Sequence, residues 1–140
     1  METIFDQQEK FMKASGQTTG EFNLDQFKLY SKLVCEEYNE FIDAVDSHSK
    51  FRTADFNVES PYRAEISDAL CDLIVVAAGA LHSLGVDVNG SWQEVIQSNL
   101  AKIDKATGKV IKRSDGKVLK PDDWKPPELT QFVRPCSQNK

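Results

Sequence analysis

The sequence predicts an all-α fold with four helices, followed by a short basic arm. Apolar residues recur at helical spacing in four segments of the first 103 residues. Beyond Asp104 the pattern changes to turn residues and short alternating runs, which favour a small β-hairpin and an extended strap. The chain has 140 residues, enough for one domain with a sizeable core. We therefore expect a helical domain over residues 1–103, with residues 104–140 as an arm of the same domain.

The first two helices follow from their apolar spacing. The first is expected over residues 2–14, and a run of small and polar residues over 15–20 ends it. The second is expected over residues 24–48, with Asn23 as its N-cap. Its apolar stripe consists of Tyr30, Val34, Tyr38, Phe41 and Val45.

The third helix is expected to open with Ser60 as its cap and Pro61 at its first position, and Gly85 closes it. Its second half is apolar all round, so it lies at a subunit interface or in the centre of a bundle. The residues expected there are Val75, Val76 and Gly79. The missing side chain of Gly79 would let another backbone approach closely.

The fourth helix is expected to start at Ser91, where Ser-Trp-Gln-Glu forms a capping box. Asn99 and Lys102 lie one turn apart, on the border of the apolar face of this helix. A polar pair in that position can reach into a cleft beside the core.

Three carboxylates interrupt the stripe of the second helix: Glu36, Glu37 and Glu40. At about 100° per residue, Glu37 falls about 60° from the centre of the stripe, at the edge of the core. Such a run is most often a solvated helix face. A carboxylate beside a core nevertheless needs a partner, because its desolvation is costly.

Glu65 and Asp68 form a second acidic pair, on the third helix. If the second and third helices are antiparallel neighbours, these two acids converge with Glu37 and Glu40. Four acids so close could not all stay ionised without a cation. Hard oxygen ligands favour Mg²⁺, with Mn²⁺ as a substitute. A di-iron site is disfavoured because neither histidine has a glutamate three residues before it.

The charge of the chain is uneven. Residues 1–101 carry a net charge of −10 and residues 102–125 carry +4. An acidic body with a basic arm suits a protein that binds cations at one place and phosphates at another. The alternative is a nucleic-acid-binding module that uses the arm and Trp124, although the acidic body would repel a duplex. We expect Trp124 to pin the strap to the helices rather than to stack on a base.

Other features favour a cytoplasmic protein without a membrane partner. The first ten residues are acidic and amphipathic, unlike a secretory signal, and no apolar run is long enough to span a bilayer. Three cysteines, an odd number, argue against a disulfide framework. Cys35 and Cys71 are expected to be small core residues.

The acidic pairs resemble the paired motif of the all-α nucleoside triphosphate pyrophosphohydrolases. In this sequence the motif is Glu36-Glu37-x-x-Glu40 followed by Glu65-x-x-Asp68. The likeness continues through Ser98-Asn99-Leu100-Ala101-Lys102 to Trp124-Lys125-Pro126-Pro127, and this part resembles the end of the single-domain MazG-like group. The resemblance covers residues 8–128.

The resemblance implies a four-helix bundle that assembles into a dimer or a tetramer. It also implies Mg²⁺-dependent hydrolysis of an NTP or dNTP to the monophosphate and pyrophosphate, in a nucleotide-pool or house-cleaning role. The substrate and a second copy of the chain are therefore the expected partners.

The resemblance also assigns roles to single residues. The implied metal ligands are Glu37, Glu40, Glu65 and Asp68. Glu36 would be a further ligand or would orient the attacking water, and Glu36 or Glu37 would accept the proton. The implied contacts to phosphate or sugar are Asn99 and Lys102, with Lys105 and the basic arm as weaker candidates. Asp72 lies outside the motif, and pairing with a lysine is its favoured role.

Overall fold

The computed structural model describes residues 1–49 and 61–136. These residues form four α-helices: α1 (Ile4–Ala14), α2 (Leu24–Ser49), α3 (Pro61–Ser83) and α4 (Val88–Leu100). Two short strands, β1 (Ile103–Asp104) and β2 (Lys109–Val110), pair antiparallel, and a 3₁₀ turn covers Thr130–Phe132. The predicted all-α fold class is confirmed. The expected cap of the third helix, Ser60, lies outside the described residues.

The chain groups into two compact units. The first comprises Met1–Val86 with Arg134–Lys140 and holds α1, α2 and α3. The second comprises Asp87–Val133 and holds α4, the two strands and the 3₁₀ turn. The expected domain boundary at residue 103 stays a prediction.

Within the first unit, α2 and α3 are antiparallel neighbours. Near the start of α2, Gln26 Nε2 donates to Ser83 Oγ at the end of α3, at 2.9 Å. One turn further along α2, the ring of Tyr30 lies against Gly79, one turn back along α3. The sequence predicted that acids of the two helices converge if these helices are antiparallel neighbours, and this arrangement is present.

The loop before α2 sets this register. Asn23 caps α2 as predicted, because the Gln26 N–H donates to Asn23 Oδ1 at 3.1 Å. The Asn23 N–H donates to the carbonyl of Ser83 at 3.0 Å. The Gln26 side chain also brackets Thr18, accepting from its N–H at 2.9 Å and donating to its carbonyl at 2.8 Å. These bonds fix the start of α2 against the end of α3.

Gly79 allows close packing in the centre of the first unit. A Cβ atom there would lie 2.1 Å from Cε1 of Tyr30, so any side chain would force the ring away. The buried ring forms the core with Met12 and Val76, and its hydroxyl donates to Gln17 Oε1 at 2.6 Å. Val76 and Gly79 thus lie in the centre of the unit, one of the two expected places. The neighbour that Gly79 admits is an aromatic ring, however, and not the backbone that the sequence suggested.

Some residues expected in the core are exposed. Tyr38 is 52 % exposed, although it continues the stripe of Tyr30. The reason is that α1 joins the α2–α3 pair at Met12, beside Tyr30, and the Tyr38 end lacks this third helix in the described residues. Cys35 and Cys71 are also exposed and unpaired, so the expectation that they are core residues is wrong.

Two helix starts differ from the sequence expectation. α1 begins at Ile4, where Thr3 and Asp6 form a reciprocal capping box. α4 begins at Val88 and not at Ser91, because Asp87 accepts the Gly90 N–H at 3.1 Å. Aspartate caps as well as serine does, so the helix gains one turn.

In the second unit, residues 111–119 form the predicted hairpin. Lys112 and Val118 pair across it, and the Leu119 N–H donates to the carbonyl of Ile111 at 2.7 Å. The short pairing of β1 with β2 comes before it and was not foreseen. After the hairpin, Trp124 Nε1 donates to the carbonyl of Ser98 on α4 at 2.8 Å. Trp124 therefore pins the strap to a helix, as predicted.

Candidate active site

The acids of α2 and α3 face one another at two levels. Tyr30 of α2 lies against Gly79 of α3. Because the two helices are antiparallel, each residue further along α2 is level with a residue one position further back along α3. Glu37 is then level with Asp72, seven residues from the reference pair on each helix. Glu40 is level with Ala69, next to Asp68. Two acidic levels, one turn apart, thus follow from the core packing alone.

The electrostatics of Glu37 agree with this register. Its side chain is partly buried, and desolvation is the largest cause that raises the pKa of its carboxyl. The charges of Glu40, Asp72, Glu36 and Asp68 follow in that order and raise this pKa further. Carboxylates from both helices therefore act on one group.

Glu65 lies one turn before Asp68 on α3. In the same register it is level with Ala44, one turn beyond Glu40, and it is not among the acids that raise the pKa of Glu37. Its side chain is exposed. Three other motif acids, Glu36, Glu40 and Asp68, act on Glu37, and the expected role of Glu65 stays a prediction.

Asp72, which lies outside the motif, also acts on Glu37. Its charge raises the pKa of Glu37 more than that of Asp68 does. In the described part of the chain, no ion pair joins Asp72 to a lysine, so the role favoured from the sequence is not observed. The signal that could have identified it is its position four residues after Asp68, which puts both on one helix face.

Glu36 has a cationic neighbour. Lys32 lies one turn before it, with Nζ 3.7 Å from the Glu36 carboxylate. Both side chains are exposed, so the ion pair contributes little to stability. It holds Glu36 at the edge of the acidic cluster, where the carboxylate can reach solvent.

The donor set suits a hard divalent cation. The clustered groups are carboxylates, without histidine or cysteine, and hard cations prefer such oxygen ligands. Across residues 1–49 and 61–136, however, no three acid, histidine or cysteine side chains lie close enough together to hold a metal ion. The chemistry of the donors fits the metal, and further oxygen atoms are needed to complete its coordination.

The residues expected to contact phosphate lie in the second unit. Lys102 Nζ donates to Asn99 Oδ1 at 2.8 Å, so these two side chains meet as their spacing suggested. The same ammonium lies 5.5 Å from the ring centre of Trp124. The ammonium of Lys120 lies 4.2 Å from that centre. Sequence reasoning had not singled out Lys120.

Lys105 lines a cavity of about 760 Å³ in the same unit. Its walls include Leu100, Ile103, Trp124 and Pro126, and the Lys125 side chain is also at its edge. A cavity of this size falls in the range of small-ligand sites. Lys105 is therefore placed where it can meet a ligand.

Acids on facing helices, without a sulfur or nitrogen ligand among them, are consistent with the class of all-α pyrophosphohydrolases. The family model of phosphoribosyl-ATP pyrophosphohydrolase matches residues 1–99, which are 99 of the 140 residues. The chain belongs to this family, which is part of the all-α nucleoside triphosphate pyrophosphatase superfamily. No curated protein matches the chain.

Family membership identifies the activity at a coarse level. The chain is a pyrophosphohydrolase that acts on a nucleotide, and so hydrolyses a phosphoric anhydride bond. The match includes every clustered acid and Asn99, and it ends before Lys102 and the arm. None of the helices in the described ranges is both long and apolar enough to cross a membrane.

Proposed function

We propose that the protein hydrolyses a nucleoside triphosphate, ribo or deoxy, to the monophosphate and pyrophosphate with Mg²⁺ or Mn²⁺. The observation that carries the proposal is the facing of Glu37 and Glu40 with Asp68 and Asp72 in a chain of a pyrophosphohydrolase family. The expected setting is the cytoplasmic nucleotide pool, where such an enzyme removes triphosphates.

The proposed metal ligands are Glu37, Glu40, Asp68 and Asp72. Bound Mg²⁺ would neutralise phosphate charge and lower the pKa of a water molecule. Because no three of these side chains converge in the described residues, phosphate oxygens are needed as further ligands. Metal and nucleotide should therefore bind together, each much more weakly alone.

Glu37 is the proposed proton acceptor. In the metal-free protein, desolvation and then the charge of Glu40 raise its pKa, which favours uptake of a proton there. Glu36, beside Lys32, would orient the attacking water. Asn99 and Lys102 would bind the phosphate or sugar, and Lys105 would contact the part of the nucleotide that enters the cavity.

The test is a screen of all NTPs and dNTPs for pyrophosphate release, with Mg²⁺, with Mn²⁺ and with EDTA. Phosphoribosyl-ATP belongs in the same screen, because the family is named for it. We expect pyrophosphate and the monophosphate in equal amounts from at least one nucleoside triphosphate, and none with EDTA. Release of single phosphate, or metal-independent hydrolysis, would contradict the proposal.

We also propose that the chain self-associates through a groove between α1 and α3. The groove has a volume of about 510 Å³ and includes Ile4, Phe11, Ile74 and Val75, which are 43 % to 63 % exposed. An exposed apolar patch of this kind is typical of an interface. Val75→Asp should lower the mass in light scattering, whereas Leu119→Asp, on the hairpin, should leave it unchanged. An unchanged mass in Val75→Asp would exclude this groove.

A further inference from the structure

Trp124 holds two ammonium groups beside one ring. Lys120 Nζ lies 4.2 Å from the ring centre and Lys102 Nζ lies 5.5 Å from it. The two charges therefore cannot be further apart than these distances combined, about 9.7 Å. The face of an indole ring attracts a cation through its quadrupole, without carrying a negative charge. The ring therefore contacts both lysines without pairing either of them with a negative charge.

The other contacts of this cluster are also neutral. Lys102 donates to the amide oxygen of Asn99, and the indole N–H donates to the carbonyl of Ser98. In the part of the chain that the structure describes, neither lysine has a carboxylate at ion-pair distance. Arg113, on the same arm, differs because Asp115 pairs with it.

Two like charges held close together repel each other, and an anion between them relieves the repulsion. A lysine ammonium has three N–H donors, so Lys102 keeps two after its bond to Asn99. Phosphate groups accept such charge-assisted bonds strongly. A pyrophosphate group has oxygen atoms at both ends, so each end can accept from one ammonium group.

We infer that Lys120 joins Lys102 as a second phosphate-binding lysine and that Trp124 positions both for the pyrophosphate end of the substrate. The inference rests on the proposed function only for the identity of the nucleotide. The binding of a pyrophosphate group by the two lysines can be tested without any reaction. The competing explanation is that the two cation–π contacts only fix the strap to α4.

The first experiment measures binding of pyrophosphate and tripolyphosphate without metal. The chain has two tryptophans, so Trp92→Phe leaves Trp124 as the only fluorescent indole. We expect a saturable change in its emission at constant ionic strength. In this background Lys120→Met should weaken binding about tenfold, which corresponds to one lost charge-assisted bond.

The matched control is Lys117→Met, which removes the same charge from the same arm but away from the indole contacts. It should change the affinity less than twofold. Equal loss in the two variants would overturn the inference, because the arm would then act through its overall charge. Calorimetry on Lys120→Met and Lys117→Met with Trp92 retained repeats the comparison if the Trp92→Phe background folds poorly.

The second experiment tests the positioning role of Trp124. Trp124→Phe keeps an aromatic face but loses the N–H bond to Ser98, and Trp124→Leu loses both. If the ring positions the lysines, calorimetric pyrophosphate affinity should fall in the order Trp, Phe, Leu, with KM rising more than kcat falls. Equal loss in both variants would show that only the strap anchor matters, and this would refute the positioning role.

These outcomes are separable from failure of the proposed function. Pyrophosphate binding that depends on Lys120, in a protein that hydrolyses no nucleotide, would refute the proposed reaction and support the lysine pair. If Lys120→Met hydrolysed a nucleotide with full activity at substrate concentrations below KM, the proposed reaction would be supported and the lysine pair refuted.

Discussion

The acidic face of α2 and α3 and the lysine pair on Trp124 both gather like charges, but they keep them in different ways. On the acidic face, neighbouring carboxylates raise the pKa of Glu37, so the Glu37 carboxyl takes up a proton more readily. At Trp124 the charges are held by a ring that has no charge to titrate. The first region is therefore sensitive to pH and to cations, and the second is open to anions.

The two regions should therefore respond to different ligands. Under the proposed function, a proton and a metal ion would compete for the acids, so their charge would depend on pH and on metal concentration. The lysines are not neutralised by an internal carboxylate among the described residues, so they need only an anion. The following predictions test this contrast, from the largest expected effect to the smallest.

The largest effect should come from the acids that the register brings together. Asp72→Asn and Glu40→Gln should each lower turnover at least about a hundredfold, because a metal ligand is lost. Glu65→Gln is the matched control, since it also neutralises one acid on α3, and it should lose less than about tenfold. Steady-state pyrophosphate release measures this. Equal losses in Asp72→Asn and Glu65→Gln would show that the register does not define the site.

Gly79→Ala should destabilise the first unit by about 2 kcal/mol, because its Cβ would overlap the Tyr30 ring. This cost exceeds the gain of about 1 kcal/mol in helix propensity. Urea unfolding measures it. In a Tyr30→Leu background, Gly79→Ala should lower the free energy of unfolding by less, since the two positions are in contact. If the effects of the two substitutions simply add in the double variant, the contact is not the cause. Pyrophosphate binding at Trp124 should be unchanged in Gly79→Ala.

Lys102→Ala should raise KM about tenfold, because one charge-assisted bond to phosphate is lost. Its metal binding without nucleotide should equal that of the wild type, as followed by a Mn²⁺ titration. Glu37→Gln should instead weaken the metal and abolish turnover. If Lys102→Ala kept wild-type activity at substrate concentrations below KM, Lys102 would not bind phosphate and would only face solvent.

The smallest effect concerns stability against pH in the metal-free protein. The pKa of Glu37 is higher in the folded protein than in the unfolded chain, so its contribution to stability falls as pH rises through that pKa. Glu37→Gln should therefore melt above the wild type at pH 8 and together with it at pH 4. Excess Mg²⁺ with a non-hydrolysable nucleotide should remove the difference at pH 8. A variant that is less stable at pH 8 would contradict this sign.

The fold was largely predictable because it depends on local signals. The cap at Asn23, the apolar spacing and the turn residues of the hairpin each act within a few residues. The start of α4 was missed because Asp87 and Ser91 are both good caps, and the sequence does not say which one is used.

The site was only partly predictable because it depends on a register between two helices. Spacing along each helix identified Glu37, Glu40, Glu65 and Asp68 as candidates, but the effect of Asp72 on Glu37 depends on which residues of α2 and α3 face each other. The loop bonds of Asn23 and the Tyr30 packing fix that register. Lys120 was not singled out within the arm. It lies four residues before Trp124, and a local turn, in which the Trp124 N–H donates to the carbonyl of Pro121 at 3.0 Å, brings it to the ring.

The contact of Gly79 with Tyr30 sets the distance between α2 and α3 near the acidic face. It lies seven residues, about 10 Å of helix, from the level of Glu37 and Asp72. Since both helices are stiff over that length, the distance between them at the acids is largely set at this contact. A bulkier residue at position 79 would spread the acids, lower their mutual repulsion and weaken their grip on a cation. If the acids bind a metal ion as proposed, its affinity would depend in part on the missing side chain of Gly79, about 10 Å of helix away.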